Sequence, residues 1–571
     1  MTAVEAPPEP PKVTARPLWK RVVGRTSHLW PALVLFSTVL VIWGRPVLDD
    51  FAHKRLSNPG DSESFAYYLS WNAHAFVNFV DPFFAPNLYA PDGLDLGNAI
   101  SIPAVSLLVS PVALAFGGTA AYNAAFLLAI FLCGLCVYLL ARELFGSVVG
   151  ATAAGLLAVV SPYFSAHALG HLNLMWIFGL PLIAYLSVRA VKGSLRMVWL
   201  AVGVALTVGF TGGASTELMV VEAVFAALAL VVAFICATPE VRSRLTRVLP
   251  WMVGGVVGGA VLALPVVLAA LRSGIPKTVG NPPALYSTEV TNIFVPTSLV
   301  RFGAEPFAAA RSTWVGNEAE NSAYLPFVFL VFLVVYLVFA RGRVVAGIGI
   351  FAVATLILSF GPYLTINGRS TIAMPWLAAL SVPGLDHALP SRFTGFVFMA
   401  LCLFVAHAWA QRIVNRAALV GIVFFTFVLL IPDIARMGFP TNASDPEFVT
   451  SGEISTEIQP GDNVLVLPAG QWGPGMRWVD ELDFSFDMPT GNGGGAKAPE
   501  ALADPVGEAL FFRNFEFDYA STFEGYLDEY DVDTILIEAD RTDWKKVVDE
   551  SIDVIPTLNQ GVWIYEINES R

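Results

Sequence analysis

From His28 to about Pro432 the chain is a succession of apolar blocks separated by short polar breaks. Blocks of roughly 18 or more apolar residues are long enough to cross a bilayer, and only helices or closed barrels can do so with their backbone polar groups satisfied. The first block is His28 to Trp43. Others lie at about 101–118, 121–141, 147–162, 172–190, 197–212, 216–236, 250–271, 323–340, 344–361, 392–410 and 416–432. The pattern predicts an α-helical polytopic membrane protein, a bundle of about 11 to 12 spans over residues 28–432 with outer loops at 44–100 and 272–322. Past residue 433 the pattern changes. Asn463–Pro468, Asp533–Ile537 and Val562–Ile567 are short runs rich in β-branched and aromatic residues, the composition of strands. Pro505–Phe512 reads as a helix with Asp504 as its cap, and Trp544–Ser551 as another. Residues 433–571 are therefore expected to form a C-terminal α/β domain outside the membrane.

Charge gives this pattern an orientation. Lys20, Arg21 and Arg25 precede the first span, and the breaks hold Arg142, Arg189 to Arg196, Arg242 to Arg247, Arg341 with Arg343, and Arg412 with Arg416. Short basic loops face the cytoplasm. The N-terminus is then cytoplasmic, and residues 1–27, rich in proline, are predicted to be a disordered tail. Residues 161–173, 212–217, 272–322, 361–391 and the C-terminal domain fall on the extracytoplasmic side of a plasma membrane. One block resists this scheme. Two full spans at 101–118 and 121–141 would put Arg142 outside, so either 101–118 is re-entrant or interfacial or its assignment as a span is wrong; about 11 full spans plus one partial one are expected.

Composition narrows the function classes. The chain is 55% hydrophobic and 14% charged, with mean hydropathy +0.63. Soluble domains carry about a quarter charged residues. From Ser444 onward there are 27 acids against 7 bases. An acidic tail without a basic stripe excludes a nucleic-acid partner. Cys133, Cys136, Cys236 and Cys402 all lie in apolar runs, so neither a disulfide nor a cysteine metal site is expected.

The polar residues that could carry chemistry sort to the outer side. Asp61 and Glu63 follow Pro59-Gly60 at the start of an aromatic-rich segment. Asp61 suits a helix cap, a role compatible with catalysis. Phe65, Tyr68, Leu69, Phe76 and Phe79 recur at helical spacing beside Tyr67 and Trp71, which predicts a helix lying at headgroup depth. Asp49 and Asp50 are rival acids. His167 and His171 are four apart, with Asn173 two residues on. That spacing permits a metal pair, but Gly170 interrupts it and no HExxH pattern is present, so hydrogen bonding near a phosphate is favoured. Glu217 begins an apolar run, with Glu222 deeper. An acid in a span usually faces a cavity or a partner. Loop 272–322 carries Trp314, Asn317, Glu318, Glu320 and Asn321. Arg392 opens a late span, where a guanidinium can hold a lipid phosphate through two parallel bonds.

Taken in order, these blocks resemble bacterial members of the GT-C glycosyltransferase superfamily. The resemblance rests on Gly60-Asp61 followed by Trp71-Asn72-Ala73-His74, on the block from Ser161 to Leu174, and on Pro390-Ser391-Arg392-Phe393 before a late span, with an outer α/β domain after the bundle. It implies a polyprenyl-phosphate sugar donor, a glycan, lipid or protein acceptor, and a direct displacement with inversion. It maps the general base to Asp61, with Glu63 as helper or substitute. His167, His171, Asn173, Glu217 and Arg392 are expected to surround the substrate and its phosphate. No cofactor is expected, and a divalent metal has no support in the sequence. Two other readings remain: a transporter or flippase of a lipid-linked glycan, and a non-catalytic membrane scaffold.

Overall fold

The computed structural model describes residues 29–56, 61–274, 280–438, 441–442, 445–470, 473–492 and 498–567. The expected tail at 1–27 and the Pro59-Gly60 pair lie outside the described residues. Among those described, eight helices are long and apolar enough to cross a bilayer: Leu29–Val47, Pro103–Phe145, Val148–His167, Leu172–Val191, Met197–Ala214, Thr216–Cys236, Pro239–Arg272 and Pro390–Gln411. Three further apolar helices, Phe327–Phe339, Arg343–Ser359 and Arg416–Leu429, are shorter. At 1.5 Å per residue the shortest covers about 20 Å of a hydrocarbon layer some 30 Å thick. The expected 11 to 12 spans thus resolve into eight full-length helices and three short ones.

The 101–118 block is a short helix that meets the following one at a kink within Pro103–Phe145, rather than a full span of its own. The kink is at Gly117, whose φ of 80° and ψ of 174° leave helical geometry. Glycine reaches positive φ without a steric penalty. Before the bend, Leu107, Leu108, Leu114 and Phe116 are exposed. After it, Gly118 to Phe145 is long enough for one complete crossing, about 40 Å. One crossing leaves Arg142 at the end of the bundle away from the C-terminal domain, which removes the conflict over its side.

We label Asp61–Asn78 α1, Pro103–Phe145 α2, Gly179–Val191 α3 and Gly475–Glu481 α4. α1 does not lie open on the membrane surface: every residue from Ser62 to Ala73 is buried. The C-terminal domain covers it. The Phe484 ring packs against Tyr67, Trp71 and His74 at centroid distances of 5.6, 5.2 and 4.9 Å. On the other side Asn72 Nδ2 donates to the Ser101 carbonyl at 2.7 Å and to Ser106 Oγ at 3.0 Å, fastening α1 to the start of α2. The Trp-Asn-Ala-His motif is thus a packing and fastening device.

The C-terminal domain is built on a four-stranded sheet, β1 (Val464–Leu467), β2 (Thr534–Glu538), β3 (Thr557–Asn559) and β4 (Val562–Glu566), in the order β1-β2-β4-β3. β1 and β2 are parallel; β4 pairs antiparallel with both of its neighbours. The parallel pair demands a crossover, which α4 and the helices Glu500–Ala503, Pro505–Phe511 and Phe523–Glu529 supply. Asp504 caps Pro505–Phe511 by accepting from the Val506 and Gly507 N–H groups. Contacts bind this domain to the first loop. Lys54–Arg55 pairs with Thr441–Asn442, Tyr89 Oη donates to the Gly491 carbonyl at 2.7 Å, and Tyr68 Oη to the Asn492 carbonyl at 2.9 Å. The Gly118 N–H donates to Asp480 at 3.0 Å. A Cβ on Gly118 would lie 2.4 Å from the Ala66 carbonyl oxygen, so α1, α2 and α4 meet there only because the residue is glycine.

Candidate active site

Asp61 is the first residue of α1 and is exposed, directly before the buried stretch Ser62 to Ala73. Its neighbour is the turn between two histidines. Ser161 caps a short helix, Pro162–His167, by accepting from the Tyr163 N–H, and Pro162 presets the first turn. The chain then reverses through Gly170 at φ 119°, where a Cβ would sit 3.7 Å from the Asp61 Cβ. The reversal brings His167 and His171 together, Nδ1 to Nδ1 at 3.3 Å. His167 is fully buried against the Tyr163 ring at 4.1 Å, while His171 is partly open. Asp61 and Glu320 both act electrostatically on His171. Asn173 lies in the short helix Leu172–Met175 and is buried.

A second cluster adjoins the histidines. Arg392 sits in the turn Pro390–Phe393 and is gripped by two carboxylates. Its Nη1 donates to Glu217 Oε2 at 2.5 Å, and its Nη2 and Nε donate to Glu320 Oε1 at 2.5 and 3.1 Å. Ser391 Oγ donates to Glu320 Oε2 at 2.8 Å, and the Leu389 N–H to Glu217 Oε1 at 3.4 Å. Ligand atoms of His167, His171 and Glu320 all lie within 4.8 Å of one another, a grouping able to hold a metal ion. Asp61, His167, His171, Glu217, Glu320 and Arg392 thus form one neighbourhood. Glu320 carried no local signal beyond its place in a polar loop, because its partners Ser391 and Arg392 come some 70 residues later.

Glu63 is elsewhere. It is buried on the far side of α1, with Arg55 Nη1 at 2.7 Å from Oε2 and with Arg55 Nη2 and Arg477 Nη1 each donating to Oε1 at 2.8 Å. Arg477 Nε also donates to both Asp445 oxygens at 3.0 Å. Burial alone would raise the Glu63 carboxyl; the two guanidiniums outweigh it and hold the group below the usual range. Both oxygens are committed, so the expected helper acid is a structural ion-pair partner in this arrangement. Asp49 is paired with Lys54 and Asp50 with His53, in the exposed turn after the first span. Glu222 fastens helices inside the bundle, accepting from the Leu180 N–H and from Thr211 Oγ1, both at 3.2 Å.

Comparison with known proteins bears on the fold that carries this geometry. Residues 103–268 match the family described as dolichyl-phosphate-mannose-protein mannosyltransferase. No curated protein matches the chain in sequence. Among solved structures, the Archaeoglobus fulgidus oligosaccharyltransferase tethered with an acceptor peptide aligns with TM-score 0.52 and 13% identity, over 93% of this chain and 71% of that one. ArnT from Cupriavidus metallidurans bound to undecaprenyl phosphate aligns with TM-score 0.51 and 13% identity, over 93% and 97%. The arabinofuranosyltransferase AftD from Mycobacteria gives TM-score 0.55 and 14% identity, over 95% of this chain and 40% of that one. At such identities the likeness is one of fold, and the fold is of the polytopic GT-C type.

Proposed function

We propose that this chain is a membrane glycosyltransferase that moves a sugar from a polyprenyl-phosphate donor to an acceptor hydroxyl on the extracytoplasmic face. The observation that carries the reading is the meeting of one exposed carboxylate, Asp61, with the His167, His171, Glu217, Glu320 and Arg392 cluster at one end of a GT-C bundle. Asp61 takes the proton of the acceptor hydroxyl as its oxygen attacks the anomeric carbon. The bond from that carbon to the phosphate oxygen breaks on the opposite face, and the polyprenyl phosphate leaves with the electron pair. The product is inverted.

Arg392 is the phosphate partner. Its guanidinium has five N–H donors, of which the two carboxylates engage three groups, Nε, Nη1 and Nη2, leaving one hydrogen on each Nη for an incoming phosphate oxygen. Glu217 and Glu320 hold the fork in position; His171 is close enough to feel the charges of both Arg392 and Asp61. That ArnT binds undecaprenyl phosphate supports a lipid-phosphate donor for this fold. The acceptor is a glycan, lipid or protein hydroxyl of the cell envelope. A transporter would gather ionisable groups at the bilayer midplane. Here the deep acid, Glu222, is spent on helix fastening.

Asp61→Asn is the test. With the purified protein and a polyprenyl-phosphate sugar, the variant is expected to stay folded and lose transfer by at least the 10²–10⁴-fold that general-base catalysis supplies. Wild-type activity in Asp61→Asn removes Asp61 as the base.

A further inference from the structure

The end of the bundle away from Asp61 carries a cavity that the proposed reaction does not use. Two helices fix its place. Along α2, Arg142 lies about 36 Å beyond Gly118, which touches the C-terminal domain at Asp480. Along Pro390–Gln411, Arg392 lies at the first end and His407 near the other, where its ring stands 5.0 Å from Phe145. Between the ends of α2 and α3 is a cavity of about 400 Å³ lined by Leu139, Arg142, Glu143, Tyr185, Arg189 and Ser194. That volume falls in the range of roughly 300–1,000 Å³ typical of small-ligand sites.

Its charge is unbalanced. Arg189 is held in place by neutral acceptors: Tyr185 Oη at 3.1 Å, Ser194 Oγ at 3.4 Å and the Ser194 carbonyl at 3.2 Å. Glu143, the acid on the wall, is already matched by Lys192 at 3.1 Å. Among the described residues no carboxylate pairs with Arg142 or Arg189. Two guanidiniums therefore line one partly buried cavity without a counter-ion, an arrangement that an anion would relieve. The guanidinium fork matches phosphate oxygens.

The geometry points to a second binding site here, independent of the transfer reaction, for a phosphate-bearing ligand clamped between Arg142 and Arg189. The phosphate has two possible sources, an anionic lipid headgroup of the adjoining leaflet or a soluble phosphate. The first is the direct fit, because the cavity opens where spans leave the bilayer and basic residues there attract anionic lipid.

The test uses full-length protein in detergent, read by native mass spectrometry for retained phosphatidylglycerol against phosphatidylcholine, and by thermal shift with inorganic phosphate. Wild type is expected to retain phosphatidylglycerol selectively. Arg142→Gln is expected to weaken retention about tenfold or more. Arg189→Gln adds to the loss, and Arg196→Gln, exposed and outside the cavity, leaves retention unchanged. The Arg142 side chain supports no described neighbour through a hydrogen bond, so that variant is expected to fold. A phosphate-dependent thermal shift that Arg142→Gln abolishes, without lipid selectivity, keeps the site and assigns it to a soluble ligand. If neither phosphatidylglycerol nor phosphate distinguishes wild type from Arg142→Gln, the site does not exist.

Discussion

Glu63→Ala tests how α1 is held. Glu63 is buried at 6% exposure between Arg55, which is fully buried, and Arg477, which is 7% exposed. Arg477 keeps Asp445 as a second partner, but among the described residues Arg55 has no other acid. Removing Glu63 therefore strands one buried guanidinium. Breaking a buried pair from one side costs about 3–5 kcal/mol. That is a loss of about 10²–10³-fold or more in the equilibrium holding the first loop against the C-terminal domain. Glu63→Gln keeps the volume and one acceptor oxygen and should cost less. The assay is thermal and protease-monitored unfolding of the full-length protein in detergent.

The pH dependence of this network has a definite sign. The folded Glu63 carboxyl lies below its ordinary value of 4.5, so its stabilisation is present above about pH 4.5 and is lost as pH falls through the folded value. The gap between wild type and Glu63→Ala should close on acidification. A Glu63→Ala protein that unfolds with wild type at pH 7 refutes the reasoning, as does a gap that persists at low pH. Glu63→Gln and Asp61→Asn together separate structure from chemistry. A stable, inactive Glu63→Gln beside an active Asp61→Asn would make Glu63 the reacting acid.

Three further outcomes are expected. Burial pushes the Asp480 carboxyl up to about 6, against hydrogen bonds from Ser70 and Gly118. Its stabilisation is present below its ordinary 3.8 and lost as pH rises through about 6, so Asp480→Asn should gain on the order of 2–3 kcal/mol at pH 7.5, and less at pH 5; equal unfolding temperatures at the two pH values in both proteins would contradict this. Arg392→Lys keeps the charge but cannot bond Glu217 and Glu320 as a fork, and should lower transfer roughly 10- to 100-fold with the fold intact, read as kcat and KM for the donor. Chelator treatment should leave transfer unchanged, since Arg392 already balances Glu320; a loss restored by a divalent ion would instead put a metal on His167, His171 and Glu320.

What the sequence revealed, and what it hid, follows sequence distance. The spans were legible because an apolar run is a local signal, and so were the three main strands and the Asp504 cap. The bend at Gly117 was visible only as a charge conflict at Arg142. The burial of α1 was hidden because its cover, Phe484 and Asn492, comes more than 400 residues after it in the chain. Glu320 was hidden for the same reason, since its weight comes from Arg392.

The spacing of Asp61 and Glu63 nonetheless carried more than it first showed. Successive residues of an α-helix turn by about 100°, so side chains two apart point to nearly opposite faces. Once a helix begins at Asp61, the two acids cannot serve one substrate from the same face. One must turn toward the neighbouring bundle and the other away from it. Asp61 turns toward Gly170 and His171; Glu63 turns toward Arg55 and Arg477. The division also couples them. A helix pinned on one face by a buried ion network cannot rotate about its own axis, and the rotation of α1 sets where Asp61 points. With Asp61 as the proposed base, Glu63 would position it through α1 rather than through contact with substrate.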